Sequence, residues 1–280
     1  MRSVLDLTTG FLLTVLSGTA LAAYVCSAAG VFVVRMGLTA IGFTMSHAAF
    51  AGAAFALWAG VEPVAGALAF AVTTALALGP LAERARLRAE VMLGFLFSLL
   101  MALGFMFLAM LPGEAASGVA LRIVWGSVFS VGRYDVLYLV ALACALLTFD
   151  LAFRKELMAV LFDRRLATAS GVDARAFTYA ILVLTGLAVA LSLRLVGGLL
   201  VFALIINPAS TALQFLDDMK RVLWAAPAVG LATSLGGLLL SLAWDLPVGS
   251  AIIIVSALVL AAAIVVSPRR RRAPVPPVAT

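Results

Sequence analysis

Charge-free apolar stretches separated by short charged loops make up almost the whole chain. A helix needs about 20 apolar residues to cross a bilayer. Uninterrupted runs of that size stand at residues 7–34, 36–61, 63–82, 91–113, 176–193, 195–216, 222–244 and 246–268. A further run, 134–153, carries Asp135 and Asp150 only near its ends. The pattern predicts an all-α, polytopic transmembrane helical bundle. The junction Leu193-Arg194-Leu195 is tight, so the count is eight spans plus a re-entrant piece, or nine spans.

Composition agrees with the pattern. Of 280 residues, 65% are hydrophobic and 11% charged, against about 25% charged in soluble proteins. Too few charges remain to face water on all sides. Residues 1–268 read as one transmembrane domain, with the charged loop 154–175 too short for a core of its own. No Gly-rich phosphate loop ending in Lys-Ser or Lys-Thr is present, so energy from ATP would have to come from another polypeptide. The net charge of +6 sits in short loops beside apolar runs. That placement argues for lipid headgroups as the partner and against nucleic acid. The first apolar run is too long for a signal-peptide core and is expected to be retained.

Lys and Arg set the orientation. With loop 83–90 inside, alternation puts Arg35, Arg84, Arg86, Arg88, Arg154, Lys155, Arg164, Arg165, Arg175, Lys220, Arg221 and Arg269 to Arg272 inside. Only Arg2, Arg122, Arg133 and Arg194 of the 19 basic residues fall outside, together with Glu62, Glu114 and Asp245. The N-terminus is then out and the C-terminus in. The tail 269–280 is basic and Pro-rich, expected to be cytoplasmic and disordered, with its arginines on anionic headgroups.

Few residues inside the spans can carry chemistry. Cys26 and Cys144 lack metal or redox spacing and read as buried small hydrophobes. Ala48, Gly52, Ala56 and Gly60 recur every four residues, a small-residue stripe for helix contact. His47 is the only histidine. Counted from Arg35 it lies roughly 15–18 Å deep, flanked by Thr44, Met45 and Ser46. It is either a packing histidine bonded within the bundle or a ligand on a path. Asn207-Pro208 stands at mid-depth of the seventh run. Pro208 leaves the Leu204 carbonyl without its helical donor, and Thr211 is expected to bond back to the Asn207 carbonyl. Gly197-Gly198 would let the chain turn at the outer surface. This is a proline kink, or broken backbone lining a cavity.

In loop 154–175, Asp163 is a good N-cap and Gly171 a good helix stop. Residues 164–170 between them form about two turns, with Leu166, Ala167 and Ser170 expected on one side. Such a helix either docks into a partner's groove or lies on headgroups.

Four segments in order resemble the permease subunits of ABC importers for zinc, manganese and iron. They are Arg35-Met36 through Ser46-His47-Ala48-Ala49-Phe50-Ala51-Gly52; Phe162-Asp163-Arg164-Arg165-Leu166-Ala167 through Gly171-Val172-Asp173; Val196-Gly197-Gly198-Leu199-Leu200-Val201 through Asn207-Pro208-Ala209-Ser210-Thr211; and Trp244-Asp245-Leu246-Pro247-Val248-Gly249. The resemblance implies a multi-pass subunit of a prokaryotic plasma (inner) membrane, without a cofactor or enzymatic activity of its own. It implies two copies of the chain, two cytoplasmic ABC ATPase subunits and an extracytoplasmic metal-binding protein. ATP binding would close the ATPases, move the loop helices and open the path inward. It places His47 on the translocation path as a transient metal ligand; Met45, Ser46, Asn207 and Pro208 are the further path candidates read from these segments. It assigns ATPase coupling to Phe162, Asp163, Ala167 and Gly171. Two departures stand out: Phe43 where the family often has an acidic residue, and Ala51 where it has proline. The competing reading is an autonomous ion-coupled secondary transporter. Such carriers usually need carboxylates in the membrane, and the middle of these runs has none.

Overall fold

A computed structural model of the chain describes residues 2–111 and 132–267. The side chains of residues 2–12, Arg133 and Arg194 are not described. The readings made for Glu114, Arg122 and the tail 269–280 lie outside the described residues.

Eleven helices follow one another among the described residues: α1 (Arg2–Arg35), α2 (Ile41–Trp58), α3 (Pro63–Ala85), α4 (Ala89–Ala109), α5 (Arg133–Ala152), α6 (Arg154–Phe162), α7 (Arg164–Ala169), α8 (Ala174–Val196), α9 (Gly198–Phe215), α10 (Met219–Trp244) and α11 (Val248–Val266). Nine of them, all but α6 and α7, are long and apolar enough to cross a membrane. The α8–α9 junction is a single residue, Gly197, at φ 79° and ψ 158°. Only glycine adopts that conformation readily. The break thus falls two residues after the tight junction at Leu195, and α8 and α9 are each long and apolar enough to cross a membrane.

The bundle is built around α1 and α2. Helix α1 packs on α5, α8, α9 and α10, and α2 on α3, α4, α8 and α9. Helices α3, α4, α5 and α11 keep most of their surface outside the bundle. Their outer positions are apolar, such as Phe95 and Phe105 on α4 or Leu258 and Val265 on α11, as lipid requires. Cys26 is buried, but Cys144 is exposed on α5, so only the first of the two is a core residue.

Small residues set the closest approaches, since lipid gives helices no hydrophobic reason to associate. A Cβ on Gly52 would lie 2.2 Å from the Gly66 carbonyl oxygen, and one on Gly66 would lie 2.3 Å from that of Gly52. Helices α2 and α3 therefore touch backbone to backbone. Ala48 and Ala56 belong to the same buried stripe. Gly60 does not: it lies past the end of α2 at φ 70° with open space around it, and serves the turn.

The second close approach is at the proline of α9. Ser27 Oγ on α1 donates to the Leu204 carbonyl at 3.3 Å. That is the carbonyl whose helical donor Pro208 lacks. One turn along α1, a Cβ on Gly30 would lie 2.0 Å from the Ile205 oxygen. The expected bond from Thr211 to Asn207 is not formed; Thr211 Oγ1 is buried without a partner among the described residues. The disturbed backbone is satisfied from α1 instead.

Candidate functional site

His47 lies on the side of α2 where α4 and α9 come near. Its Nδ1 is 2.9 Å from the Phe43 carbonyl oxygen, one turn back. A carbonyl only accepts, so Nδ1 is the donor here, and in the neutral imidazole Nε2 then keeps its lone pair. Around the imidazole stand phenyl rings. The Phe97 ring of α4 meets it edge to face at 4.6 Å, and the Phe43 ring lies at 5.1 Å. Phe43 in turn touches Phe97 at 5.1 Å and Phe202 of α9 at 5.0 Å. Next to this cluster an open groove of about 370 Å³ is lined by Thr39, Ala40, Phe43, Thr44, Gly94, Phe97 and Phe202. Among the described residues no carboxylate lines it.

The other residues proposed beside His47 point elsewhere. Met45 is about 200° around α2 from His47. It is fully buried, its sulfur toward Gly186 of α8. Ser46 Oγ donates to the Gly42 carbonyl at 2.8 Å and sits against Gly198. Ser46 and His47 each bond back to their own helical turn, and no serine–histidine pair forms. Helix α9 turns Phe202 and Ile205 toward Gly42 of α2. Asn207 is on another face, where Nδ2 donates to Ser256 Oγ of α11 at 3.0 Å. Pro208 is buried beside it. Among the described residues no three His, Cys, Asp or Glu side chains gather as a metal cage.

The second candidate region is loop 154–175. Helix α5 ends at Ala152, and after the single residue Phe153 α6 begins with Arg154. Across that bend Arg154 pairs with Asp150 at 2.6 Å. Asp150 is mostly buried, and its Oδ1 has no hydrogen-bond partner among the described residues. Asp163 caps α7, accepting from the Arg165 and Leu166 amides at 2.7 and 3.0 Å. Gly171 ends it at φ 85°. Asp173, whose role the sequence reading missed, caps α8 through the Arg175 and Ala176 amides. The expected small-residue face is split. Ala167 is buried against Val160 and Ala174, and Ser170 is exposed. The outward apolar residues are Phe162, 82% exposed, and Leu166, 59% exposed. Arg175 reaches Glu83 at 2.9 Å, which puts loop 83–90 and loop 154–175 on one side of the bundle.

Nine helices long and apolar enough to span, among the described residues, with a short helical loop on the arginine-rich side, define a multi-pass membrane protein. The chain belongs to the ABC 3 transport family, whose model matches residues 8–267. Among its relatives, the manganese transport system membrane protein MntC of Halalkalibacterium halodurans is 28% identical over 93% of this chain and 88% of its own length. The high-affinity zinc uptake system membrane protein ZnuB of Haemophilus influenzae is 25% identical over 81% of this chain and 87% of its own. In shape the chain is similar to a solved chain of PsaBC from Streptococcus pneumoniae in complex with Fab. The TM-score is 0.82 at 24% identity, covering 93% of each chain.

Proposed function

We propose that this chain is the membrane-spanning subunit of an ATP-driven importer of a divalent transition-metal ion, in the set zinc, manganese and iron. The observation that carries the reading is the family match over nearly the whole chain, on a fold in which nine of the described helices are long and apolar enough to span. The relatives' names, which include manganese and zinc transport, give the cargo class. A separate cytoplasmic ATPase subunit would supply the energy and dock on loop 154–175. Phe162 and Leu166 are the exposed apolar residues there, held in place by the Asp163 cap and the Gly171 stop. An extracytoplasmic metal-binding protein would deliver the ion on the opposite side.

His47 is the proposed contact on the path, through Nε2. One imidazole makes a weak, transient site, because stable zinc sites take about four ligands. Conduction needs an ion to leave as well as enter. A second copy of the chain across the groove would enclose the path and double its donors. Met45, Ser46, Asn207 and Pro208 act in this reading by packing α2 and α9, not as ligands.

The test is reconstitution. The purified chain alone in liposomes should move no metal, and addition of its ATPase and binding protein should give ATP-dependent uptake. Metal movement by the lone chain down a proton gradient would establish the carrier reading instead.

A further inference from the structure

A single residue joins span α5 to the loop helices. Phe153 stands there at φ −114° and ψ 26°, away from the α-helical values. Its amide donates to the Phe149 carbonyl at 3.1 Å, and its carbonyl accepts from the Leu157 amide at 2.8 Å. Across this joint Arg154 Nη2 meets Asp150 Oδ2 at 2.6 Å. The two side chains are 26% and 10% exposed, whereas those of the Arg175–Glu83 pair are mostly in solvent.

Helix stability does not account for the pair. Within its own helix each charge stands at the end that disfavours its sign: Asp150 in the last turn of α5, Arg154 at the first residue of α6. Desolvating two charges costs much of what their attraction returns. Here Asp150 Oδ1 and Arg154 Nε are also buried without hydrogen-bond partners among the described residues. What the pair does is tie one side of the joint to the other. The rest of the loop is tied together separately. The rings of Phe149 and Phe153 both meet Phe177 of α8, at 6.2 and 5.5 Å, and Val160, Ala167 and Ala174 form one buried cluster. Helices α6 and α7 and the start of α8 thus hold together as one body, and the Asp150–Arg154 pair fixes the angle of that body to α5.

We infer that Asp150 and Arg154 are positioning residues for energy coupling: their ion pair stiffens the α5–α6 joint, so that a displacement of α7 reaches span α5 instead of being absorbed at Phe153. The inference rests on the proposed docking of an ATPase on loop 154–175. A buried ion pair that adds little stability is kept where one conformation has to be specified. Phe162 and Leu166 offer the outward contact, the apolar cluster carries the movement, and the ion pair passes it into the membrane.

Hydrogen exchange on the assembled transporter reads the joint directly. The Phe153 and Leu157 amides bond across it. They should exchange faster when Asp150→Leu and Arg154→Leu are combined, while the amides of residues 176–193 stay as in wild type. Unchanged exchange over residues 150–157 overturns the inference.

The functional experiment uses the complete transporter in proteoliposomes and reads ATP hydrolysed per metal ion imported. Wild type is compared with the leucine double variant and with Arg154→Lys. The double variant removes both charges together, so no buried charge is left alone and the complex should assemble. It should spend about fivefold more ATP per ion, or worse, the lower end of coupling between sites. Arg154→Lys keeps one charged bond to Asp150 and should stay near the wild-type ratio. A wild-type ratio in the assembled double variant overturns the inference, as does an equal rise in Arg154→Lys. Wild type itself separates the two levels. If it shows no ATP-driven uptake, the docking reading fails. If it does, and the double variant matches it, only the positioning inference fails.

Discussion

Ser27 Oγ on α1 donates to the Leu204 carbonyl on α9, the acceptor that Pro208 leaves without a helical donor. A proline inside a membrane helix is tolerated when a neighbour re-satisfies the freed backbone group, and here the neighbour is a serine 177 positions earlier in the chain. Ser27→Ala should therefore leave a buried carbonyl unpaired, at a cost of about 1–3 kcal/mol. The thermal midpoint of the detergent-solubilised protein should fall. A midpoint equal to wild type would mean that this bond contributes nothing.

Gly30 and Gly94 make a matched pair of tests. A methyl group on Gly30 meets the Ile205 carbonyl oxygen at 2.0 Å, while one on Gly94 meets nothing within 4 Å. Gly30→Ala should force α1 and α9 apart and lower yield and thermal stability. Gly94→Ala should be neutral or slightly stabilising, by up to about 1 kcal/mol from helix propensity. Equal behaviour of the two variants would contradict the packing described for α1 and α9.

The Asp150–Arg154 pair crosses the bend between a span and the loop helices. Asp150→Asn leaves Arg154 without its counter-ion in a mostly buried place and should destabilise the protein. Replacing both residues by leucine should cost less than the single change, because breaking a buried pair is worse than removing it. A double variant less stable than Asp150→Asn would show that the pair is favourable in itself.

On the loop, Phe162→Ala and Leu166→Ala should leave insertion and thermal stability near wild type and reduce co-purification with the ATPase. Ala167→Trp should also reduce it, but by a different route. Ala167 is 1% exposed, packed on Val160 and Ala174, so the bulky ring disrupts the loop itself. Proteolysis within 154–175 should rise in Ala167→Trp and not in Phe162→Ala.

The spans were legible because a lipid-facing chain writes its helices as uninterrupted apolar runs. The capping of α7 was legible too, since Asp163 and Gly171 act within a few residues of themselves. What sequence could not give was the partnering between helices. Nothing near Pro208 in the chain points to Ser27, and the local rule that favoured Thr211 lost to a tertiary contact. The four-residue stripe correctly named Gly52 but ran past the end of α2 to Gly60, because periodicity carries no stop signal. The direction of Ala167 depended on packing against α6 and α8. At the candidate site, His47 stood out as the lone histidine and Phe43 as a departure from the family pattern. Phe97 and Phe202 carried no signal, being phenylalanines among many in apolar runs.

The most direct test of the whole account is ATP-dependent metal uptake into proteoliposomes, normalised to assembled complex, for wild type and His47→Ala. The account predicts uptake by wild type only when ATPase and ATP are present. It predicts a large loss in His47→Ala, with assembly and basal ATP hydrolysis retained. Normalised uptake by His47→Ala equal to wild type would contradict it.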